Sequence, residues 1–112
     1  MPSESVPEIS VRQLKEKLDR QENVVLLDIR EPHEVKLARI EGAVHIPMGE
    51  VPQRVEELSR EKEILVHCHT GMRSLLVGQY LLEAGFPRVA SVAGGIEAWS
   101  REIDPKVPRY FS

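Results

Sequence analysis

The sequence predicts an α/β fold, a small three-layer α/β/α sandwich built on a five-stranded parallel sheet. Three observations point there. Short apolar runs alternate with stretches of helical periodicity between the two ends of the chain, the order expected of successive βαβ units. Two of the runs, Val24 to Ile29 (VVLLDI) and Ile64 to Val66, show no apolar/polar alternation, as expected of strands covered on both faces. A length of 112 residues suits one domain, which at this size removes roughly two-thirds of its unfolded surface from water.

Glu8 to Ser10 reads as a short edge strand. Ser10 is placed to cap a helix from Val11 to about Arg20, whose Val11, Leu14 and Leu18 fall on one face. Val24 to Ile29 is the second strand. Pro32 can open a short helix towards Ala38, because the first helical position has no use for an amide N–H. Val44 to Ile46 is a third strand, stopped by Pro47, and Met48 to about Leu58 reads as another helix. Ile64 to His67 is the fourth strand. Ser74 to Ala84 is the strongest helical pattern, with an apolar stripe of Leu75, Leu76, Tyr80 and Leu81 and with Gly85 ready to end it. Gly78 inside that helix costs about 1 kcal/mol relative to alanine; close packing against a neighbouring element would explain it, and a chance substitution would explain it equally. Val89 to Val92 is the fifth strand, and Ile96 to about Glu102 the last helix. Proline-punctuated segments at 1–7 and 104–112 read as short tails on a domain spanning 8–110.

Composition narrows the function. The net charge is −3 and the cations are interspersed with Asp and Glu, which argues against nucleic acid as the main partner. No apolar run approaches the roughly 20 residues of a membrane span. The first residues lack the basic and apolar regions of a secretory signal, so the expected compartment is the cytoplasm. A single cysteine, Cys68, can make neither an internal disulfide nor a common zinc cluster, and in a reducing compartment it stays available as a nucleophile.

The chemistry concentrates in Cys68-His69-Thr70-Gly71-Met72-Arg73-Ser74, which joins the end of a buried strand to the start of a helix. Ligands of open α/β sheets bind at the carboxyl ends of the strands. A loop entering a helix there can aim several amide N–H groups at one centre, forming a nest for an anion. An unperturbed thiol is only about 3% thiolate at neutral pH, and such a nest favours the anion. Arg73 adds a permanent charge and a forked donor set, and Gly71 lets the backbone turn without a Cβ in the way. A lone cysteine after an apolar strand would by itself read as a small buried hydrophobe; the glycine, the arginine and the helix start make it a candidate reactive site.

The loop Cys-x-x-Gly-x-Arg-Ser resembles the active-site loop of the rhodanese superfamily. Leu27-Asp28-Ile29-Arg30-Glu31, Ile40-Glu41-Gly42-Ala43-Val44-His45-Ile46-Pro47 and Gly94-Gly95-Ile96-Glu97-Ala98-Trp99 resemble three further family segments, in the family's order. Ala38-Arg39 stands where Gly-His is usual, and Glu41 replaces a common proline. The resemblance implies a sulfurtransferase in which Cys68 attacks the outer sulfur of thiosulfate, a persulfide or a polysulfide and carries it as a persulfide to an acceptor. This is ping-pong covalent catalysis without metal or organic cofactor. It implies that the backbone of His69, Thr70, Gly71, Met72 and Arg73 cradles the outer sulfur, that Arg73 stabilises the anionic donor or the persulfide, and that Asp28 and Arg30 brace the site through hydrogen bonds and ion pairs. His69 reads equally as a donor contact or a solvent-exposed loop residue, His67 as a buried, hydrogen-bonded framework residue, and Trp99 as a core anchor. The end of the chain, Ala98 to Tyr110, resembles rhodanese domains fused to E1-like adenylyltransferases, which implies a sulfur-carrier protein as an acceptor.

Two other function classes compete. Cysteine-dependent phosphatases and arsenate reductases use a His-Cys-x5-Arg loop, which His67-Cys68 would start. Here only four residues separate Cys68 from Arg73, a tighter cradle suited to one sulfur atom rather than a tetrahedral oxyanion. Some rhodanese-like domains are docking modules that have lost the cysteine; this chain keeps Cys68 and an intact loop, which argues against that class while leaving room for a binding role beside catalysis.

Overall fold

The computed structural model describes residues 5–111; the rest of the expected tails, residues 1–4 and 112, lies outside the described residues. The chain alternates strand and helix: β1 (Glu8–Ile9), α1 (Val11–Asp19), β2 (Val24–Asp28), α2 (Pro32–Leu37), β3 (Val44–His45), α3 (Val51–Arg54), β4 (Glu63–His67), α4 (Met72–Glu83), β5 (Val89–Val92) and α5 (Gly95–Glu102). All pairings are parallel and the strand order is β1-β5-β4-β2-β3, so the expected five-stranded parallel sheet is present.

Side chains of a strand alternate between faces, and the two faces bury separate clusters. Leu26, Leu65, Ala90 and Val92 pack against Val11 and Leu14 of α1 and Ile96 and Trp99 of α5. Leu27, Ile64, Val66 and Val89 face the other way, onto Val51 of α3 and Val77 and Leu81 of α4. These are the three layers. A fully buried Leu, Ile or Val is worth about 1.5–3 kcal/mol, which is why the two unalternating runs form the central strands. Trp99 anchors the first cluster, as expected.

Ser10 closes a capping box with Gln13: its Oγ accepts from the Gln13 amide at 3.0 Å while its own amide donates to Gln13 Oε1 at 2.8 Å. Three expectations need correction. The helix read over Met48 to Leu58 is three short pieces, a 3-10 turn (Met48–Glu50), the single turn α3 and a second 3-10 turn (Val55–Glu57); at the first break Pro52 brings no amide N–H for the Met48 carbonyl. In α4 the buried face is Ser74, Val77, Gly78 and Leu81, whereas Leu76 is 63% exposed. Gly78 lies against Val6, whose Cγ1 a Cβ at that position would meet at 2.8 Å, the close packing that explains a glycine inside this helix. Lastly, residues 104–110 are no free tail: Val107 and Tyr110 are buried in the first cluster, and Ser100 Oγ donates to the Val107 carbonyl.

Candidate active site

Cys68 follows β4 directly, and register puts its side chain on the α4 face of the sheet, two residues beyond Val66. It is buried, 1% exposed. Its Sγ receives the Gly71 amide at 3.2 Å and the Ser74 amide at 3.3 Å. The thiol also lies 3.6 Å from Ser74 Oγ, which is fixed by the Gly71 carbonyl at 3.2 Å and by Ser91 Oγ at 2.6 Å. The loop therefore turns amides onto the sulfur, and the second one comes from Ser74, one residue beyond the expected cradle of 69–73.

Two turns hold this loop in shape. Gly71, at φ +116°, caps α4 in the left-handed region that glycine enters without a steric penalty. Gly95, at φ +56°, opens α5 and touches the loop backbone: a Cβ there would collide with the Cys68 carbonyl oxygen and lie 2.6 Å from that of His69. The close approach lets the first amides of α5 find partners, with Ile96 donating to the Cys68 carbonyl at 2.9 Å and Glu97 to that of His69 at 3.0 Å. Helix N-termini need such acceptors. The Gly94-Gly95 turn is thus the back wall of the loop.

The charged surroundings form one chain of contacts. Asp28 Oδ1 and Oδ2 receive Arg30 Nε at 2.9 Å and Nη2 at 2.7 Å. Arg30 Nη1 donates to Tyr110 Oη at 2.9 Å, and Tyr110 Oη donates to Glu34 Oε2 at 2.9 Å. Glu34 holds Arg73 in a two-point pair, Nη1 to Oε1 at 2.7 Å and Nη2 to Oε2 at 2.9 Å. Asp28 and Arg30 therefore connect to Arg73, through two residues the sequence did not single out. Arg73 itself, expected to stabilise the anionic donor or the persulfide, is paired with Glu34.

The other loop residues separate in the structure. Thr70 and Met72 are exposed. His69 is not a freely solvated loop residue: one face of its ring stacks on Tyr110 with centroids 4.1 Å apart and planes at 10°. Its Nε2 is 3.9 Å from Glu97. His67 is fully buried, as expected, but neither ring nitrogen makes a hydrogen bond within the protein among the described residues; Nε2 sits 3.7 Å from Asp28 Oδ2.

Burial holds the His67 imidazole at about 4, below its ordinary 6.5, and the Arg73 hydrogen bonds hold the Glu34 carboxyl at about 2, below 4.5. In both cases the unfolded chain binds a proton that the native state refuses, so stability falls as pH falls. His67 acts between pH 6.5 and 4, and Glu34 takes over from 4.5 to 2. Each shift corresponds to at most about 3 kcal/mol. The urea midpoint should drop progressively from pH 6.5 downward, and His67→Gln should flatten the upper part of that decline while leaving the lower part. A midpoint independent of pH between 6.5 and 4 would contradict this account.

A parallel α/β sandwich with a cysteine at a strand end, amides on its sulfur and an arginine five positions on is the architecture of a rhodanese-type domain. The model of the Rhodanese-like domain family matches residues 10–102, and this chain belongs to that family. Among curated proteins, the putative sulfurtransferase YtwF of Bacillus subtilis is 46% identical over 101 residues, covering 90% of this chain and 97% of that protein. The putative sulfur carrier protein YrkF of Bacillus subtilis is 41% identical over 100 residues, covering 89% of this chain but 54% of that protein. The adenylyltransferase and sulfurtransferase MOCS3 of Arabidopsis thaliana is 32% identical, covering 98% of this chain and 27% of that protein, in keeping with the resemblance at the chain's end. Among solved structures, a rhodanese-related protein from Thermoplasma volcanium superposes with a TM-score of 0.81 at 30% identity, over 93% of this chain and 99% of that one.

Among the described residues no helix is long and apolar enough to cross a membrane.

Proposed function

We infer that the protein is a sulfurtransferase whose Cys68 takes a sulfane sulfur from a donor such as thiosulfate, a persulfide or polysulfide, carries it as a persulfide, and passes it to a thiophilic acceptor. The single observation that carries this reading is the pair of amide N–H groups, Gly71 and Ser74, directed at Cys68 Sγ. Hydrogen bonds from fixed donors are stronger to an anion than to a neutral group, so the loop stabilises negative charge that develops on sulfur during transfer. In the first half-reaction the Cys68 thiolate attacks the outer sulfur, an S–S bond forms to Sγ, the donor S–S bond breaks, and its electron pair leaves with the donor. In the second, the acceptor attacks that outer sulfur and Cys68 leaves as thiolate. No other group has to change oxidation state, and the loop supplies only shape and charge stabilisation.

The names of YtwF, YrkF and MOCS3 support sulfur transfer as the activity class, and those of YrkF and MOCS3 make a protein sulfur acceptor or sulfur-carrier protein a natural second substrate. Gly71 and Ser74 line the sulfur, the backbone of His69, Thr70, Met72 and Arg73 completes the turn around it, and Asp28 and Arg30 brace the turn through Tyr110 and Glu34.

The reading is tested by intact mass spectrometry after incubation with thiosulfate and, separately, with polysulfide. One sulfur mass should appear on Cys68 and be removed by cyanide. Failure of both donors to modify the wild-type protein would overturn the reading.

A further inference from the structure

The arginines tied into the surroundings of the loop are all paired. Arg73 is held by Glu34, Arg30 by Asp28, and Arg109 by Glu97, whose Oε2 lies 2.8 Å from Arg109 Nε. The pairing of Arg73 is the consequential one. Its side chain is 31% exposed and belongs to the loop, whereas the side chain of its partner is 3% exposed and has its carboxylate fixed from two further sides, by the Glu31 amide at 3.0 Å and by Tyr110 Oη. Glu34 is thus a built-in counter-ion, held in place independently of Arg73.

Charge counting gives this arrangement a consequence for the choice of donor, which rests on the sulfurtransferase reading above. With thiosulfate, the thiolate (−1) and the donor (−2) combine to give a Cys68 persulfide anion (−1) and sulfite (−2), so three negative charges meet at the cradle. With a persulfide on an uncharged alkyl carrier, the thiolate attacks the outer sulfur to give R–S⁻ and the Cys68 persulfide, and the total is one negative charge for the protonated donor R–S–S–H and two for the ionised donor R–S–S⁻, fewer than with thiosulfate in either form. Like charges at a few ångströms repel strongly where water is excluded, and a cation already neutralised by a fixed carboxylate does little to offset them. We propose that Glu34 is a specificity-determining residue: by pairing with Arg73 it disfavours dianionic donors and directs the site towards persulfides carried on thiols.

Glu34 acts here through Arg73, as a positioning residue, and the test separates that from mere support of the fold. Loading of Cys68 is followed by mass in the full chain, with sodium thiosulfate and with the persulfide of 2-mercaptoethanol, whose carrier thiol adds no charge, as donors, in wild type, Glu34→Gln and Glu34→Asp. Wild type should show a kcat/KM at least about tenfold higher for the alkyl persulfide. Glu34→Gln, which keeps the shape but not the charge, should move the kcat/KM ratio about tenfold towards thiosulfate, mainly through KM, on top of any loss common to both donors from weaker bracing of the loop. Glu34→Asp, which keeps the charge, should retain the wild-type preference. A wild-type preference for thiosulfate would overturn the proposal even if neither variant folds. So would an unchanged donor ratio in Glu34→Gln, or equal losses with both donors in both variants, the pattern of a structural role. If no donor loads wild-type Cys68, the sulfurtransferase reading itself fails; if donors load it without the expected ratio, only the specificity claim does.

Discussion

Replacing Cys68 by serine should abolish sulfur transfer, lowering turnover to a thiol or cyanide acceptor by roughly 10³-fold or more, while leaving the fold intact. The chemistry depends on an atom that can be attacked as part of an S–S bond and leave again as a stable anion. A serine oxygen does neither. The geometry argues equally that the variant folds. Sγ is buried and touched by the amides of Gly71 and Ser74, and a hydroxyl oxygen accepts from the same donors, so no buried N–H is orphaned. A denaturation midpoint within about 1 kcal/mol of wild type, together with the absence of a sulfur adduct by mass, is the expected pair of results. Sustained turnover by a folded serine variant would place the transferring group elsewhere in the chain.

How much of this was legible in the sequence depended on how far apart the partners lie. Runs such as Val24 to Asp28 and Glu63 to His67 declared themselves because burial on both faces leaves a local mark, and Ser10 with Gln13 is a contact three residues long. The loop was legible for the same reason: Cys68, Gly71 and Ser74 act on one another within six residues. Glu34 and Tyr110 were not, since their hydrogen bond spans 76 positions and that of Glu34 to Arg73 spans 39, and nothing in either neighbourhood encodes such a meeting. Tyr110 was further obscured by the prolines at 105 and 108, which read as a tail although they route the chain back over α5. The first break in the helix after Met48 has a local origin: Pro52 offers no amide N–H to the Met48 carbonyl, which interrupts the helical ladder. The apolar stripe of α4 was misplaced because Leu76 looks like a core residue by type, whereas Ser74 and Gly78 are buried for what they allow: one hydrogen-bonds beside the sulfur and the other admits Val6.

The largest effect on stability should come from Asp28. Arg30 is 0% exposed and its five N–H donors meet five acceptors: Asp28 Oδ1 and Oδ2, the carbonyls of Glu34 and Ala38, and Tyr110 Oη. Burial pushes the Asp28 carboxyl up, but the Arg30 hydrogen bonds and the neighbouring positive charge outweigh it and hold it below its ordinary value. Asp28→Ala leaves that guanidinium buried with no counter-charge, a defect that costs about 3–5 kcal/mol, a large share of the roughly 5–15 kcal/mol of a whole domain. Asp28→Asn should cost less, because it keeps one acceptor. The decisive comparison is the double variant Asp28→Leu with Arg30→Met, which removes both charges and fills similar volume. A lone buried charge is far worse than none, so the double variant should be more stable than Asp28→Ala, by about 1–3 kcal/mol in urea titrations, with a strongly non-additive cycle. It should also transfer sulfur poorly, since Arg30 no longer holds Tyr110, and with it the far end of the chain of contacts that reaches Arg73. Stability recovered without activity would separate the two jobs of this pair: the charges are dispensable to the fold once both are gone, and Arg30 is required to set the loop.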